Sequence, residues 1–161
     1  MIQVFVDMDG VLADFDAHYE AVFGVRPDKR KDDVDWGLVR AMTGFYADIP
    51  PMADMIELWS YLKSLTPSPI LLTGVPSSVP DATADKQRWV KRHLGELVEV
   101  RCCLSREKSL HARSGDVLID DWEKYRSLWE AKGGRWITHV SAESSIEALR
   151  RLGIEATEPR L

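Results

Sequence analysis

The chain has 161 residues, 45% hydrophobic and 29% charged, the size and make-up of one globular domain or one domain with a modest insertion. Disordered, collagen-like and disulfide-scaffold classes are excluded, because a chain of this length buries enough apolar surface without staples. With 26 acidic and 21 basic residues the net charge is −5, which argues against duplex nucleic acid or an anionic membrane as partner, since either needs a basic face.

Residues 2–6 form a short β-branched run and predict a buried strand. It ends in an acidic turn that runs from Asp7 to Asp14. Phe15, Tyr19, Val22 and Phe23 follow at helical spacing, and Gly24 closes that helix. Lys29-Arg30-Lys31 passes straight into Asp32-Asp33, the pattern of a solvated loop. Short helices and loops are expected up to the break at Pro50-Pro51. Ile56, Trp59 and Leu62 then mark one face of a helix. Residues 70–73 predict a second strand, followed by a loop from Gly74 to Pro80. A helix from about 83 to 94 ends at Gly95. Residues 98–103 and 116–120 predict the third and fourth strands. Trp122, Tyr125 and Trp129 line the next helix, with Trp122, Trp129 and Trp136 expected in the core. Residues 136–139 predict the fifth strand, and Ser141 starts a last helix that Gly153 ends.

Continuously apolar strands alternating with helices predict an α/β fold, a five-stranded parallel sheet covered on both faces. Residues 15–50 read as a small helical cap inserted after the first strand, and 1–14 with 51–161 as the core. Cys102 and Cys103 are adjacent, match no zinc spacing, and are expected to be buried. His18, His93, His111 and His139 are scattered and are assigned no chemistry. The first residues turn acidic too soon for a signal peptide, and no apolar run approaches the ~20 residues of a membrane span. A reducing, cytoplasmic setting is expected.

In open parallel sheets ligands bind beyond the carboxyl ends of the strands. Asp7 and Asp9 stand at the end of the first, Thr73 and Gly74 at the second, Asp120 and Asp121 at the fourth, with Lys108 in the loop before it. Each alone is ordinary: a turn former, a helix cap or a solvated charge. Together they differ, because clustered carboxylates repel and a divalent, oxygen-loving cation such as Mg²⁺ resolves the repulsion. A carboxylate can attack phosphorus, and phosphoryl transfer depends on positioning and charge neutralisation. Lys108 would neutralise, the Thr73 hydroxyl would orient, and Gly10 would let the backbone approach the phosphate.

The segment Asp7-Met8-Asp9-Gly10-Val11-Leu12 resembles motif one of the haloacid dehalogenase (HAD) superfamily of phosphatases. Thr73 is similar to its motif two, Lys108 to motif three, and Asp120-Asp121 to motif four, in the same order. A closer likeness is to the 5'-deoxyribonucleotidases, through the opening from Asp7 to Phe15, Phe45-Tyr46 before Pro50-Pro51, the helix with Lys86 and Trp89, and Ser105-Arg106-Glu107-Lys108. Two features depart from that family. The insertion is shorter, and motif two continues as Gly74-Val75-Pro76, where those enzymes usually carry a second hydroxyl residue.

The resemblance implies a Rossmann-like, three-layer core and a Mg²⁺-dependent phosphomonoesterase acting through an aspartyl-phosphate. Nucleoside monophosphates are the favoured substrates; a sugar phosphate or a nucleic-acid end is the alternative. By the same likeness Asp7 is the nucleophile and Asp9 the acid and base. Asp7, the Asp9 carbonyl and one of Asp120 and Asp121 face the metal, while Thr73, Gly74 and Lys108 hold the phosphate. Trp36 and Phe45 are the cap residues expected to meet a base, with Tyr46 beside them and Phe15 and Tyr19 in the core of the cap. Lys86 is a weaker phosphate candidate, expected rather to be solvated on an exposed helix, and Arg106 beside Lys108 is left open in the same way. A phospho-receiver module shares the sheet and the acidic pocket, but its acceptor ends the third strand, where this chain has Cys102-Cys103.

Overall fold

In the computed structural model, which describes residues 1–28 and 30–156, five parallel strands form one sheet. They are β1 (Val4–Val6), β2 (Ile70–Gly74), β3 (Val100–Cys103), β4 (Val117–Asp120) and β5 (Arg135–Thr138), in the spatial order β3-β2-β1-β4-β5. Val6 pairs with Leu71 on one side and Ile119 on the other, so β1 is the central strand. The chain steps from β1 to β2 and β3, then crosses back over β1 to β4 and β5. That reversal is where such sheets open a crevice beyond the strand ends.

Alternation along the strands divides the core. Val4, Val6, Leu71, Val117, Ile119 and Ile137 face one way and belong to the larger apolar cluster. Phe5, Ile70, Leu72 and Leu118 face the other way and close on Trp129. The larger side is covered by α3 (Met55–Leu62), α4 (Ala82–His93) and α6 (Ala142–Arg151). The thinner side carries a 3-10 helix at Ser105–His111 and the short α5 (Arg126–Ala131). The sheet with a helical layer on each face is the three-layer arrangement the pattern predicts.

Between β1 and α3 lie α1 (Phe15–Phe23) and α2 (Trp36–Ala41). Asp14 caps α1 by accepting from the Ala17 N–H, and Gly24 ends it at φ +78°. Asp35 caps α2 in the same way through Gly37 and Leu38. Phe15, Tyr19, Val39, Phe45, Tyr46 and Ile49 of this stretch join the larger core cluster. A buried bond helps tie its return to the sheet layers: the fully buried Trp89 of α4 donates Nε1–H to the Ile49 carbonyl at 2.7 Å.

Several boundaries differ from expectation for identifiable reasons. β1 starts at Val4, because Met1 and Ile2 are exposed. β3 starts at Val100 and is an edge strand, so it and the Cys102-Cys103 pair are half-buried, and burial pushes the Cys103 thiol up to about 11. On α3 the buried face is Met55, Leu58, Trp59 and Leu62, while Ile56 points to solvent at 75% exposure. The expected helix after β4 is split into a 3-10 turn at Glu123–Tyr125 and α5, and of its three rings only Trp129 is buried. Trp136 is half-buried against the smaller cluster. Arg30 and Lys31 are exposed and pair with Asp28; Lys29, the first residue of that basic cluster, lies outside the described residues. Among the described residues no helix is long and apolar enough to cross a membrane.

Trp89→Phe keeps most of the ring volume and leaves the Ile49 carbonyl without its donor. It is expected to lower unfolding stability by about 1–3 kcal/mol, read by urea denaturation. A loss below about 0.5 kcal/mol would show that this bond does not tie α4 to the 15–50 stretch.

Candidate active site

β2, β1 and β4 lie side by side, so their carboxyl ends deliver Thr73, Asp7 and Asp120 to one place. Asp9 follows on the turn after β1, and Asp121 follows Asp120. Gly10 allows that turn at φ +77°, and a Cβ there would lie 2.0 Å from Asp121 Oδ2. The glycine therefore makes room for a carboxylate, a more specific demand than the backbone approach expected of it.

Two ammonium groups hold the cluster. Lys108 Nζ lies 3.0 Å from Asp7 Oδ1 and 2.8 Å from Asp120 Oδ2, with all three side chains buried. The second oxygen of Asp120 accepts from the Trp122 N–H at 2.9 Å. Burial pulls the Lys108 ammonium down, but Asp7 and Asp120 outweigh it and hold its pKa above the ordinary lysine value. Burial, reinforced by Asp7 and opposed by Lys108, pushes the Asp120 carboxyl up to about 6.

Lys86 was expected in solvent and is 0% exposed. Its Nζ donates to Asp9 Oδ2 at 2.7 Å, Thr73 Oγ1 at 2.8 Å and the Gly74 carbonyl at 2.6 Å, and lies 4.7 Å from the centre of the Tyr46 ring. An ammonium has three hydrogens, and all three are used. A signal for this burial exists in the sequence: Ala82, Lys86, Trp89 and Val90 recur at helical spacing on one face of α4. Burial raises the Asp9 carboxyl, with Lys86 as the main opposing influence, and raises the Tyr46 hydroxyl well above its usual value. Asp9 Oδ1 is buried without a hydrogen-bond partner among the described residues.

Oxygens of Asp7, Asp120 and Asp121 lie within 4.8 Å of one another. Magnesium takes oxygen ligands at about 2.1 Å, so ligands across the ion stand about 4.2 Å apart. The donor set fits in kind and in spacing. The charges also point that way: four carboxylates outnumber Lys86 and Lys108, and a cation would offset the excess. The Asp9 carboxylate is not part of this triangle, because it is turned to Lys86.

A cleft of about 460 Å³ opens over the cluster. Asp7, Asp9, Gly74, Lys108, Asp120 and Asp121 form its floor, and Phe15, Val34, Trp36 and Tyr46 form one wall. Ser105 and Arg106 lie on its edge, and Trp122 and Tyr125 face it rather than entering the core. Thr73 stands just beneath, fully buried. Phe45 lies outside the cleft: it is 2% exposed and packs on Phe15, Phe23 and His18. Tyr19 is buried as expected, and its hydroxyl accepts from the Asp35 N–H. Sequence reasoning underrated Lys86 and did not single out Ser105.

A family model described as "5' nucleotidase, deoxy (Pyrimidine), cytosolic type C protein" matches residues 21–152. A Bordetella bronchiseptica protein provisionally named a 5'(3')-deoxyribonucleotidase is 32% identical over 137 residues, covering 73% of each chain. The human cytosolic-type 5'(3')-deoxyribonucleotidase is 28% identical over 152 residues, covering 80% of this chain and 75% of its own. The crystal structure of a hydrolase from Streptococcus pneumoniae TIGR4 shares the fold, with a TM-score of 0.50 at 12% identity, covering 92% of this chain and 97% of that one.

Lys86→Met retains bulk and removes the charge that Asp9 faces. Breaking a buried pair costs about 3–5 kcal/mol. The Asp9 side chain keeps 25% of its surface in solvent, so a loss of roughly 3 kcal/mol, the low end, is expected in chemical denaturation. Wild-type stability in this variant would mean that Lys86 does not hold the cluster together.

Proposed function

The chain belongs to the 5'(3')-deoxyribonucleotidase family of HAD hydrolases, and from that premise we propose that it is a Mg²⁺-dependent phosphomonoesterase that hydrolyses (deoxy)nucleoside monophosphates through an aspartyl-phosphate. One observation carries the mechanism. Asp7 and Asp9 are two residues apart, yet each is held by a different buried lysine, and one Asp9 oxygen has no hydrogen-bond partner among the described residues.

Asp7 attacks phosphorus, and the bond from phosphorus to the ester oxygen breaks. Asp9 donates a proton to that leaving oxygen. It then takes a proton from the water that attacks the aspartyl-phosphate, and the phosphorus bond to Asp7 breaks to release phosphate. Lys86 keeps Asp9 in place and fixes the Thr73 hydroxyl, whose own proton remains for a phosphoryl oxygen. Lys108 neutralises phosphoryl charge beside Asp7. Magnesium, when bound, screens the negative phosphate from the carboxylates and polarises a phosphoryl oxygen. Asp7, Asp121 and the Asp9 carbonyl would hold it. Asp120, the third carboxylate of that triangle, also holds Lys108 beside Asp7 and accepts from the Trp122 N–H.

The stretch 15–50 acts as the cap, and its wall of Phe15, Trp36 and Tyr46 receives the base. Trp36 is half-buried and lines the cleft, so its indole has a face to offer. The human relative is named as the cytosolic type, which supports a cytoplasmic location for this chain. A sugar phosphate is the second reading; the aromatic wall favours a nucleotide.

Asp7→Asn is expected to lower turnover of a deoxynucleoside monophosphate by about 10⁴-fold or more. EDTA should abolish wild-type activity, and added Mg²⁺ should restore it. Undiminished turnover by the Asn variant would overturn covalent catalysis at this residue. Trp36→Ala should raise KM for nucleotides roughly 5- to 100-fold, the worth of one base stack. It should leave KM for glycerol 2-phosphate unchanged. Equal rises for both would show that Trp36 does not meet the base.

A further inference from the structure

Gly74 ends β2 at the floor of the cleft, and its backbone does not adopt the left-handed conformation that calls for glycine. The constraint there is space. A Cβ at position 74 would lie 2.1 Å from Ser105 Oγ, 3.2 Å from Ser105 Cβ and 3.5 Å from its Cα. The volume that a side chain on residue 74 would fill is thus occupied by the hydroxymethyl group of Ser105. That group comes from the 3-10 helix that also carries Lys108.

No described residue uses this hydroxyl. Leu104 is the capping residue of the 3-10 helix and no side chain caps it, so Ser105 is not engaged there. Ser105 Oγ has no hydrogen bond among the described residues. It faces the cleft together with Asp7, Asp9, Gly74 and Lys108. A serine hydroxyl brings one proton to donate and no charge. The other donors are partly committed: Thr73 Oγ1 already accepts from Lys86, and Lys108 is shared between Asp7 and Asp120. A phosphoryl group spreads its charge over three oxygens, so a further neutral donor at this edge has a place to act.

We propose that Ser105 is a phosphate-binding residue: its Oγ donates a hydrogen bond to a phosphoryl oxygen, from the space that glycine at position 74 leaves open. The assignment rests on the phosphomonoesterase reading above. Gly74 and Ser105 then form one unit, in which the absence of a side chain on the strand admits a hydroxyl from the helix. The hydroxyl is delivered on the same short helix as Lys108, so charge and hydrogen bond reach the phosphate together.

The test uses the full chain with Mg²⁺ and two readouts: kcat and KM for a deoxynucleoside monophosphate, and the Kd for inorganic orthophosphate by calorimetry. Ser105→Ala should keep the wild-type melting temperature, weaken orthophosphate binding, and lower kcat/KM about 10- to 100-fold, the range for a hydrogen bond to a charged group. The double variant Gly74→Ser with Ser105→Gly returns a hydroxyl to the same space from the strand side. It should recover to within about threefold of wild type. Ser105→Ala with wild-type KM and orthophosphate affinity overturns the proposal. So does a double variant that is folded and no better than Ser105→Ala. A wild type that neither turns over a phosphomonoester nor binds orthophosphate overturns the underlying activity instead.

Discussion

Two lysine ammonium groups with almost no contact with solvent sit among four carboxylates at one edge of the sheet. A buried charge is costly unless its partners are complete. Lys86 meets that condition with three acceptors and the face of Tyr46. Lys108 meets it by joining Asp7 to Asp120, residues brought by neighbouring strands. The excess of carboxylates over lysines leaves the cluster negative, the electrostatic setting in which oxygens of Asp7, Asp120 and Asp121 could hold a cation.

That cluster depends on strand order. β1 has β2 on one side and β4 on the other, so residues more than a hundred positions apart finish at the same level. Asp7 lies beside Asp120 because the Asp7 N–H donates to the Ile119 carbonyl, continuing the register of the two strands. The reversal of strand order across β1 leaves room above these ends. α1 and α2, with their connecting loops, wall that room on one side.

Glycine is used at this edge to let other side chains in. At position 10 the space belongs to the Asp121 carboxylate, and at position 74 to the Ser105 hydroxymethyl group. Both are close approaches between segments far apart in sequence, and both bring an oxygen toward the cluster. The aromatic residues of 15–50 divide in the same spirit. Phe45 and Tyr19 fill the core, while Trp36 keeps a face toward the cleft. Tyr46 does both, lining the cleft and lying against Lys86.

By itself the amino-acid sequence determined the α/β class, the five strands and the acidic strand ends, because these are local matters of apolar runs, turn residues and helix caps. It also marked Asp7, Asp9, Thr73, Lys108, Asp120 and Asp121 as a set, since sheets of this kind gather their strand ends. The tertiary structure decided what depends on distance between segments. Lys86 looks like a solvated helix charge until α4 is laid on the sheet and its apolar face carries the lysine inward. Phe45 and Trp36 are alike in sequence, and packing alone sends one to the core and the other to the cleft. Edge position, which no local pattern encodes, left β3 and its cysteines half-buried. The pairing of Gly74 with Ser105 belongs to the same category: a missing side chain acquires meaning only when the group that fills its place is known.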